Sequence, residues 1–194
     1  MSVRTEKQSF KIVERSSAPR APREANFPVC SEKSATSSQG VREFERALEL
    51  NRNLVYAYGQ MGTAKIILGQ AEDTEAHIQE ALRLSPRDTF AYVWYYIAGA
   101  AKLFLGKEEE AIPWLRRSIE TNGNFPNSHF TLAAALACLG RLPEAQSEIR
   151  AGRAINPTFT ISRILASTPS DSPIAFFVRE HIIDDLRKAG LPEE

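Results

Sequence analysis

The feature that most constrains the fold of this chain is an internal repeat with a period near 34 residues. A Leu-Gly pair recurs at positions 68–69, 105–106 and 139–140, so its successive steps are 37 and 34 residues. A segment of this length is one helix–turn–helix unit, which cannot bury its apolar face alone and therefore stacks on its neighbours. The repeat predicts an all-α fold that grows as a solenoid.

Three units align over Val55–Asp88, Tyr92–Phe125 and Pro126–Phe159. Each carries small residues where two helices are expected to cross, because small side chains let helices approach closely. These residues include Gly62, Ala81, Gly99 and Ala111. Glycine also fits the left-handed conformation that ends a helix, and proline cannot continue one. The insertion Thr89-Phe90-Ala91 is expected to lengthen the first helix of the middle unit by nearly a turn.

The order of residue types resembles the tetratricopeptide repeat (TPR), in which a large residue, Leu-Gly or Leu-Ala, Gly, Ala and Pro follow at fixed places. The resemblance covers residues 55–159 and rests on three copies in register. It implies an all-α, right-handed superhelical solenoid of about three and a half repeats with a C-terminal capping helix. It also implies a protein–protein interaction scaffold that binds a peptide or helix in an apolar concave groove.

The N-terminal part of the chain divides at residue 40. Residues 1–40 are rich in Ser, Arg and Pro, have no helical apolar stripe and are expected to form a disordered tail. The repeats occupy 41–159 and begin with a half-repeat, Val41–Asn51, for which no matching first helix is recognised upstream. Because an uncovered repeat exposes an apolar face, this end is expected to self-associate or to fray.

The C-terminal part, 160–194, is interpreted as a linker and a capping helix. Ser172-Pro173 is a favourable helix start, with a capping hydroxyl and Pro at the first position. An apolar stripe at helical spacing follows it, and Gly190 is expected to end the helix. The stripe is formed by Ile174, Phe177, Val178, Ile182 and Leu186.

Composition excludes several classes of protein. The formal net charge is 0, whereas nucleic-acid binding requires clustered basic residues, so no nucleic-acid partner is expected. The longest apolar run, Phe90–Leu105, is interrupted by Lys102 and is shorter than the roughly twenty residues that span a bilayer. The two distant cysteines, Cys30 and Cys138, favour a reducing cytoplasm, and residues 1–40 contain no secretory signal.

No catalytic or metal-binding constellation is recognised in the sequence. His77, His129 and His181 fall in different predicted helices, and none has a second His or Cys one helical turn away. The acidic runs lie at a helix start, where they suit the helix dipole, or on a polar face. The chain is therefore predicted to be no enzyme and to need no metal or cofactor.

The predicted groove is lined by the first helix of each unit and is apolar and aromatic. Its candidate binding residues are Tyr56, Thr63, Ile66, Ile67, Val93, Tyr96, Leu103, Phe104, Asn127 and Phe130. The combined set of Lys, Asn and Arg residues with which some TPR proteins clamp a terminal carboxylate is missing from these positions. Three alternatives follow: the groove binds an apolar segment or helix of a partner, the chain's own C-terminal helix fills it, or these side chains are ordinary packing.

A second resemblance involves the segment Arg179–Glu193 together with Trp94, 111–114 and 139–142. These segments resemble the C-terminal repeat module of bacterial signalling proteins in which a class III adenylate/guanylate cyclase or a winged-helix regulator domain precedes the repeats. The resemblance implies an alternative function, that of a regulatory C-terminal fragment. Neither effector domain is recognised in these 194 residues, so neither activity is transferred to this chain.

Overall fold

The computed structural model of the protein describes residues 38–167 and 177–194, and all regular secondary structure in these two ranges is helical. A 3₁₀ turn (Ala71–Asp73) precedes α3, and a π-helical turn (Val178–Ile182) precedes α9. In chain order, the α-helices are α1 (Ser38–Leu50), α2 (Val55–Ile67), α3 (Thr74–Leu84), α4 (Ala91–Phe104), α5 (Glu108–Thr121), α6 (Pro126–Cys138), α7 (Leu142–Ile155), α8 (Ile161–Ser167) and α9 (Ile183–Lys188).

The pairs α2–α3, α4–α5 and α6–α7 are the three predicted units. The turns inside them carry Gly69, Gly106 and Gly140 at φ of 74°, 67° and 73°. Side chains disfavour this left-handed conformation, so glycine ends the first helix of each unit. The recurring Leu-Gly pair therefore marks the end of a helix, as predicted.

Small residues bring the two helices of a unit together, also as predicted. A Cβ atom added to Gly62 would lie 3.1 Å from the Ile78 side chain, and one added to Gly99 would lie 2.6 Å from Leu115. Ala111, on the helix facing Gly99, is 0% exposed. Larger side chains at these places would separate the helices.

A polar contact joins the second unit to the third. The buried Ser118 hydroxyl of α5 donates to the backbone oxygen of Tyr92 at 2.6 Å. It also lies 2.7 Å from the buried Ser128 hydroxyl of α6. The hydroxyls satisfy one another inside the core, so both can be buried at little cost.

The first helix of the middle unit is not lengthened by nearly a turn, as expected, but by one residue. Thr89 and Phe90 form a turn, and α4 begins only at Ala91. The Asp88 carboxylate accepts the Phe90 N–H at 2.9 Å, a local bond that competes with helix. The insertion therefore lengthens the turn, and α4, with 14 residues, exceeds the 13-residue α2 by one.

At the N-terminal end, α1 starts at Ser38, three residues before the predicted half-repeat, so residues 38–40 are helical. The rest of the predicted tail, 1–37, lies outside the described residues. Helix α1 packs on α2, with Phe44 and Leu48 half-buried. Leu50, predicted to share the apolar face of this helix, is 72% exposed.

At the C-terminal end, residues 177–188 form a helix that we call the C-terminal helix. Its predicted start, Ser172-Pro173, lies outside the described residues, and Gly190 with φ of 89° ends it as predicted. It packs on α6 and α8. Two backbone hydrogen bonds join the start of α8 to the residues after the C-terminal helix. Ile161 N–H donates to the Pro192 carbonyl oxygen and Ser162 N–H to the Glu193 carbonyl oxygen, each at 3.0 Å.

Most of the buried apolar residues in the described ranges fall into two clusters of different size. The smaller lies between α3 and α4 and contains Ile78, Ala81, Trp94, Ile97 and Ala98. The larger extends from Leu103 through α5, α6 and α7 to the C-terminal helix and Leu191. The C-terminal half of the chain therefore has the larger core.

Candidate protein-binding surface

The first helices of the units lie side by side, because α2 contacts α4 and α4 contacts α6. No comparable contact in the described part of the chain joins α3 to α5 or α5 to α7. A curved stack is concave on the side where successive helices are closest. Helices α2, α4 and α6 therefore line the concave side, which we call the inner surface.

The four candidate residues of α2 are all at least partly accessible. Tyr56 is 56% exposed, and Thr63, Ile66 and Ile67 are half-buried. The Tyr56 ring meets the ring of Trp94 edge-on, with centroids 6.4 Å apart. The Thr63 hydroxyl is satisfied within α2, since it donates to a backbone oxygen one turn earlier at 3.2 Å. This part of the inner surface is apolar and open.

Trp94 packs beneath Tyr56 and Gly59 in the interior next to this open part. It was not among the candidate groove residues. It is 3% exposed, and its indole N–H donates to the Asp88 carboxylate at 3.3 Å. A Cβ atom at Gly59 of α2 would lie 1.9 Å from the Trp94 ring. Glycine inside a helix lowers stability, so a glycine in this position usually has a packing reason. Gly59 was therefore the feature of the sequence that could have indicated the close approach of Trp94 to α2.

The candidates of α4 differ in accessibility. Val93 is half-buried, and Tyr96 packs edge-on against Phe125 with ring centroids 5.4 Å apart. Burial raises the pKa of the Tyr96 phenol, so the hydroxyl stays neutral. Leu103 is only 6% exposed and belongs to the larger core cluster. The structure therefore places Leu103 in the interior and not on the inner surface.

The candidates of α6 are Asn127, which is half-buried, and Phe130, which is not accessible. Phe130 is 4% exposed and stacks on Phe159 with ring centroids 3.7 Å apart. Gly152 of α7 makes room for it, because a Cβ there would lie 2.8 Å from the Phe130 ring. Phe130 thus packs between the helices of its own unit, and the expectation that it faces the groove is wrong.

The C-terminal helix covers the inner surface of the third unit. Ala134 and Ala137 of α6, both on the predicted groove wall, are 3% and 4% exposed. The Cys138 thiol lies 3.8 Å from the His181 backbone oxygen, and Phe104 of α4 contacts Phe177 with ring centroids 5.2 Å apart. The open part of the inner surface is therefore formed by α2 and α4.

Two of the three histidines, His77 and His129, are at least half-buried. His129, 8% exposed, places Nδ1 2.7 Å from the Glu148 carboxylate and Nε2 3.2 Å from the Gly123 carbonyl oxygen. Both partners accept hydrogen bonds, and the bond with Glu148 in particular raises the pKa of His129. Burial lowers the pKa of His77.

The described ranges, 38–167 and 177–194, contain neither a metal-binding cluster nor a membrane-spanning helix. No group of three or more His, Cys, Asp and Glu side chains there is arranged to hold a metal ion. No helix there has the length and apolar character needed to cross a membrane.

Comparison with known proteins supports the repeat assignment. The tetratricopeptide-repeat family model matches residues 95–125, which lie in the middle unit. No curated protein matches the chain significantly.

Several solved structures share the fold. MamA 41-end from Desulfovibrio magneticus RS-1 is 17% identical over 94% of this chain and 88% of its own, with a TM-score of 0.61. A MamA crystal structure is 21% identical over 78% of this chain and 79% of its own, with a TM-score of 0.56. YrrB, a TPR protein with an unusual peptide-binding site, is 24% identical over 78% of this chain and 75% of its own, with a TM-score of 0.51. The predicted all-α solenoid of TPR-like repeats is thereby confirmed.

Proposed function

We propose that the protein is an interaction scaffold that holds an apolar segment of another protein on the inner surface of α2 and α4. The observation that carries this proposal is the exposure of Tyr56, which is 56% accessible although it lies in a row of apolar residues. Tyrosine suits such a site, because it combines a large apolar ring with a hydroxyl and is enriched at interfaces.

The chain's own C-terminal helix supports the proposal by showing what this row of helices can accommodate. It lies against α6 with Ile183 and Leu186 only 4% and 2% exposed. An amphipathic helix therefore fits one section of the row, and helix-in-groove binding is a recurrent mode of peptide recognition. We infer that the open section takes a partner segment of the same kind.

Site-specific crosslinking tests the proposal. A photoreactive phenylalanine analogue replaces Tyr56 in one variant and Ile155 in a matched control. Ile155 is 37% exposed at the end of α7, away from the inner surface. We expect partner adducts in cells at position 56 and none at 155. Equal adducts at both positions, or none at position 56, would contradict the proposal.

The proposal assigns binding and no catalysis to the chain, and the family model that matches it indicates no catalytic family. Purified protein is expected to leave ATP and GTP unchanged. The cytoplasm is the compartment in which we expect the partner, and cell fractionation would test this expectation.

The alternative function is that of a regulatory C-terminal part of a nucleotide cyclase or transcription regulator. The two tryptophans behind that resemblance have packing roles in the structure: Trp94 fits against Gly59, and the Trp114 and Tyr95 ring centroids are 6.1 Å apart. They support a shared repeat architecture rather than a shared activity. An effector domain encoded in the same reading frame upstream would decide for the alternative.

A further inference from the structure

A cavity of about 430 Å³ lies between the C-terminal helix and the turn that joins α4 to α5. Phe104 and the following turn form one wall, and Glu108 stands at the start of α5. Phe177, His181 and Asp185, spaced four residues apart on the C-terminal helix, form the other. The space is an open cleft rather than an enclosed chamber, and its volume falls in the range of roughly 300–1,000 Å³ that is usual for small-ligand sites.

Three aromatic rings meet at this cavity. The Phe104 and Phe177 centroids are 5.2 Å apart with an interplanar angle of 57°, and the Phe177 and His181 centroids are 5.3 Å apart at 46°. Phe104, Phe177 and His181 all line the cavity, and the face of an aromatic ring carries a negative potential. Such a space attracts a cation that is attached to an apolar stem.

Two carboxylates give the same cavity a negative character. No ion pair of Glu108 is found among the described residues, and Asp185 bonds to the largely exposed Lys188 at 2.8 Å through one oxygen. The Cys138 thiol lines the cavity as well. Burial, together with the charges of Asp185 and Glu108, raises its pKa to about 12. The thiol stays neutral, and the described lining residues include no lysine or arginine.

We propose that this cavity binds the guanidinium group of an arginine side chain supplied by the protein partner. Arginine fits better than lysine, because its planar group stacks on aromatic rings and donates to two carboxylates at once. The proposal rests on the proposed function for the source of the arginine, since Phe104 at the end of α4 is both a candidate residue of the inner surface and a wall of the cavity. Beyond the proposed function, it specifies that the partner carries a positively charged arginine.

The experiment uses the full-length ¹⁵N-labelled protein and a small probe, N-acetyl-arginine N-methylamide, with NMR detection. We expect the probe to shift the amide signals of Gly106 and His181, with a dissociation constant on the order of 1–10 mM. The citrulline analogue, which has the same shape without the charge, should cause no saturable shift. The lysine analogue should bind more weakly than the arginine probe.

Two double variants of equal charge change locate the site. Glu108→Gln with Asp185→Asn should weaken binding of the arginine probe about tenfold or more, because charge-assisted bonds are lost. Glu43→Gln with Glu49→Gln, both exposed on α1, should leave it unchanged. The melting temperature of each double variant is compared with that of the parent, and both should match it.

The proposal is overturned if the citrulline analogue binds like the arginine probe, if the lysine analogue binds more tightly, or if the first double variant binds like the parent. The probe is too small to report on the surface around Tyr56. Failure here therefore leaves the crosslinking result intact, and failure of the crosslinking leaves this result intact.

Discussion

At the C-terminal end of the solenoid Leu186 is 2% exposed, whereas at the N-terminal end Leu50 is 72% exposed. The C-terminal helix lies against both α6 and α8, and α1 packs on α2. The larger core cluster also extends to the C-terminal end, while the smaller lies between α3 and α4. Repeat solenoids gain stability from contacts between neighbours, so the two ends should differ in stability.

The largest difference is expected from truncating one leucine at each end. Leu186→Ala should lower the free energy of unfolding by about 2–5 kcal/mol, because it leaves a cavity in the larger core cluster. Leu48→Ala, at a half-buried site of α1, should cost about 1 kcal/mol or less. Urea denaturation measures both. Equal losses would show that α1 is as well covered as the C-terminal helix.

A substitution at the joint between the first two units should have the next largest effect. Gly59→Ala places a methyl group 1.9 Å from the Trp94 ring, and the overpacking should cost about 1–3 kcal/mol. Gly123→Ala is the control, since its Cβ would make ordinary contact at 3.7 Å with the Ile119 oxygen. Thermal melting compares the variants, and a parent-like Gly59→Ala would refute the contact.

The joint between α6 and α7 should depend on pH through His129. Its pKa is raised above 6.5 in the folded state, so its stabilising contribution is complete below pH 6.5 and is lost as the pH rises through the folded pKa. His77 has a lowered pKa and acts in the opposite sense below pH 6.5. Melting temperatures above pH 6.5 should fall in the parent and change less in His129→Gln. An identical decline in both would contradict this role.

The smallest effect concerns α1 itself. Its amides are expected to exchange with solvent faster than those of α4, because α1 has fewer buried contacts. If this end self-associates, Phe44→Glu with Leu48→Glu should return the protein to a monomer without a large change in melting temperature. Hydrogen exchange and light scattering test these outcomes. A monomer in which α1 is as protected as α4 would contradict both.

The fold was predictable from its periodicity because each repeated residue type is required by the structure of its own unit. Gly106 ends a helix through its own φ, and Gly99 lies where Leu115 must pack. Both facts depend on neighbours within one unit. The unit boundaries could therefore be read from spacing. The structure of the insertion Thr89-Phe90-Ala91 could not, because a bond from the Asp88 side chain determined where the helix begins.

The candidate binding surface was less predictable, since accessibility depends on what other elements cover. Tyr56 and Val93 are accessible in part, but Phe130 turns toward the space left by Gly152. The cavity at Phe104 forms only when the C-terminal helix is in place. Spacing along one helix carries no information about such distant partners.

The two hydrogen bonds from Ile161 and Ser162 to the backbone of Pro192 and Glu193 have a mechanical consequence. They hold the end of the chain beside the start of α8, so a pulling force applied at residue 194 acts on these bonds before it reaches the repeats. The closing segment should peel away first, and the solenoid should extend only afterwards. A force transmitted through a tether at this end would therefore break these two hydrogen bonds before it acted on the repeats.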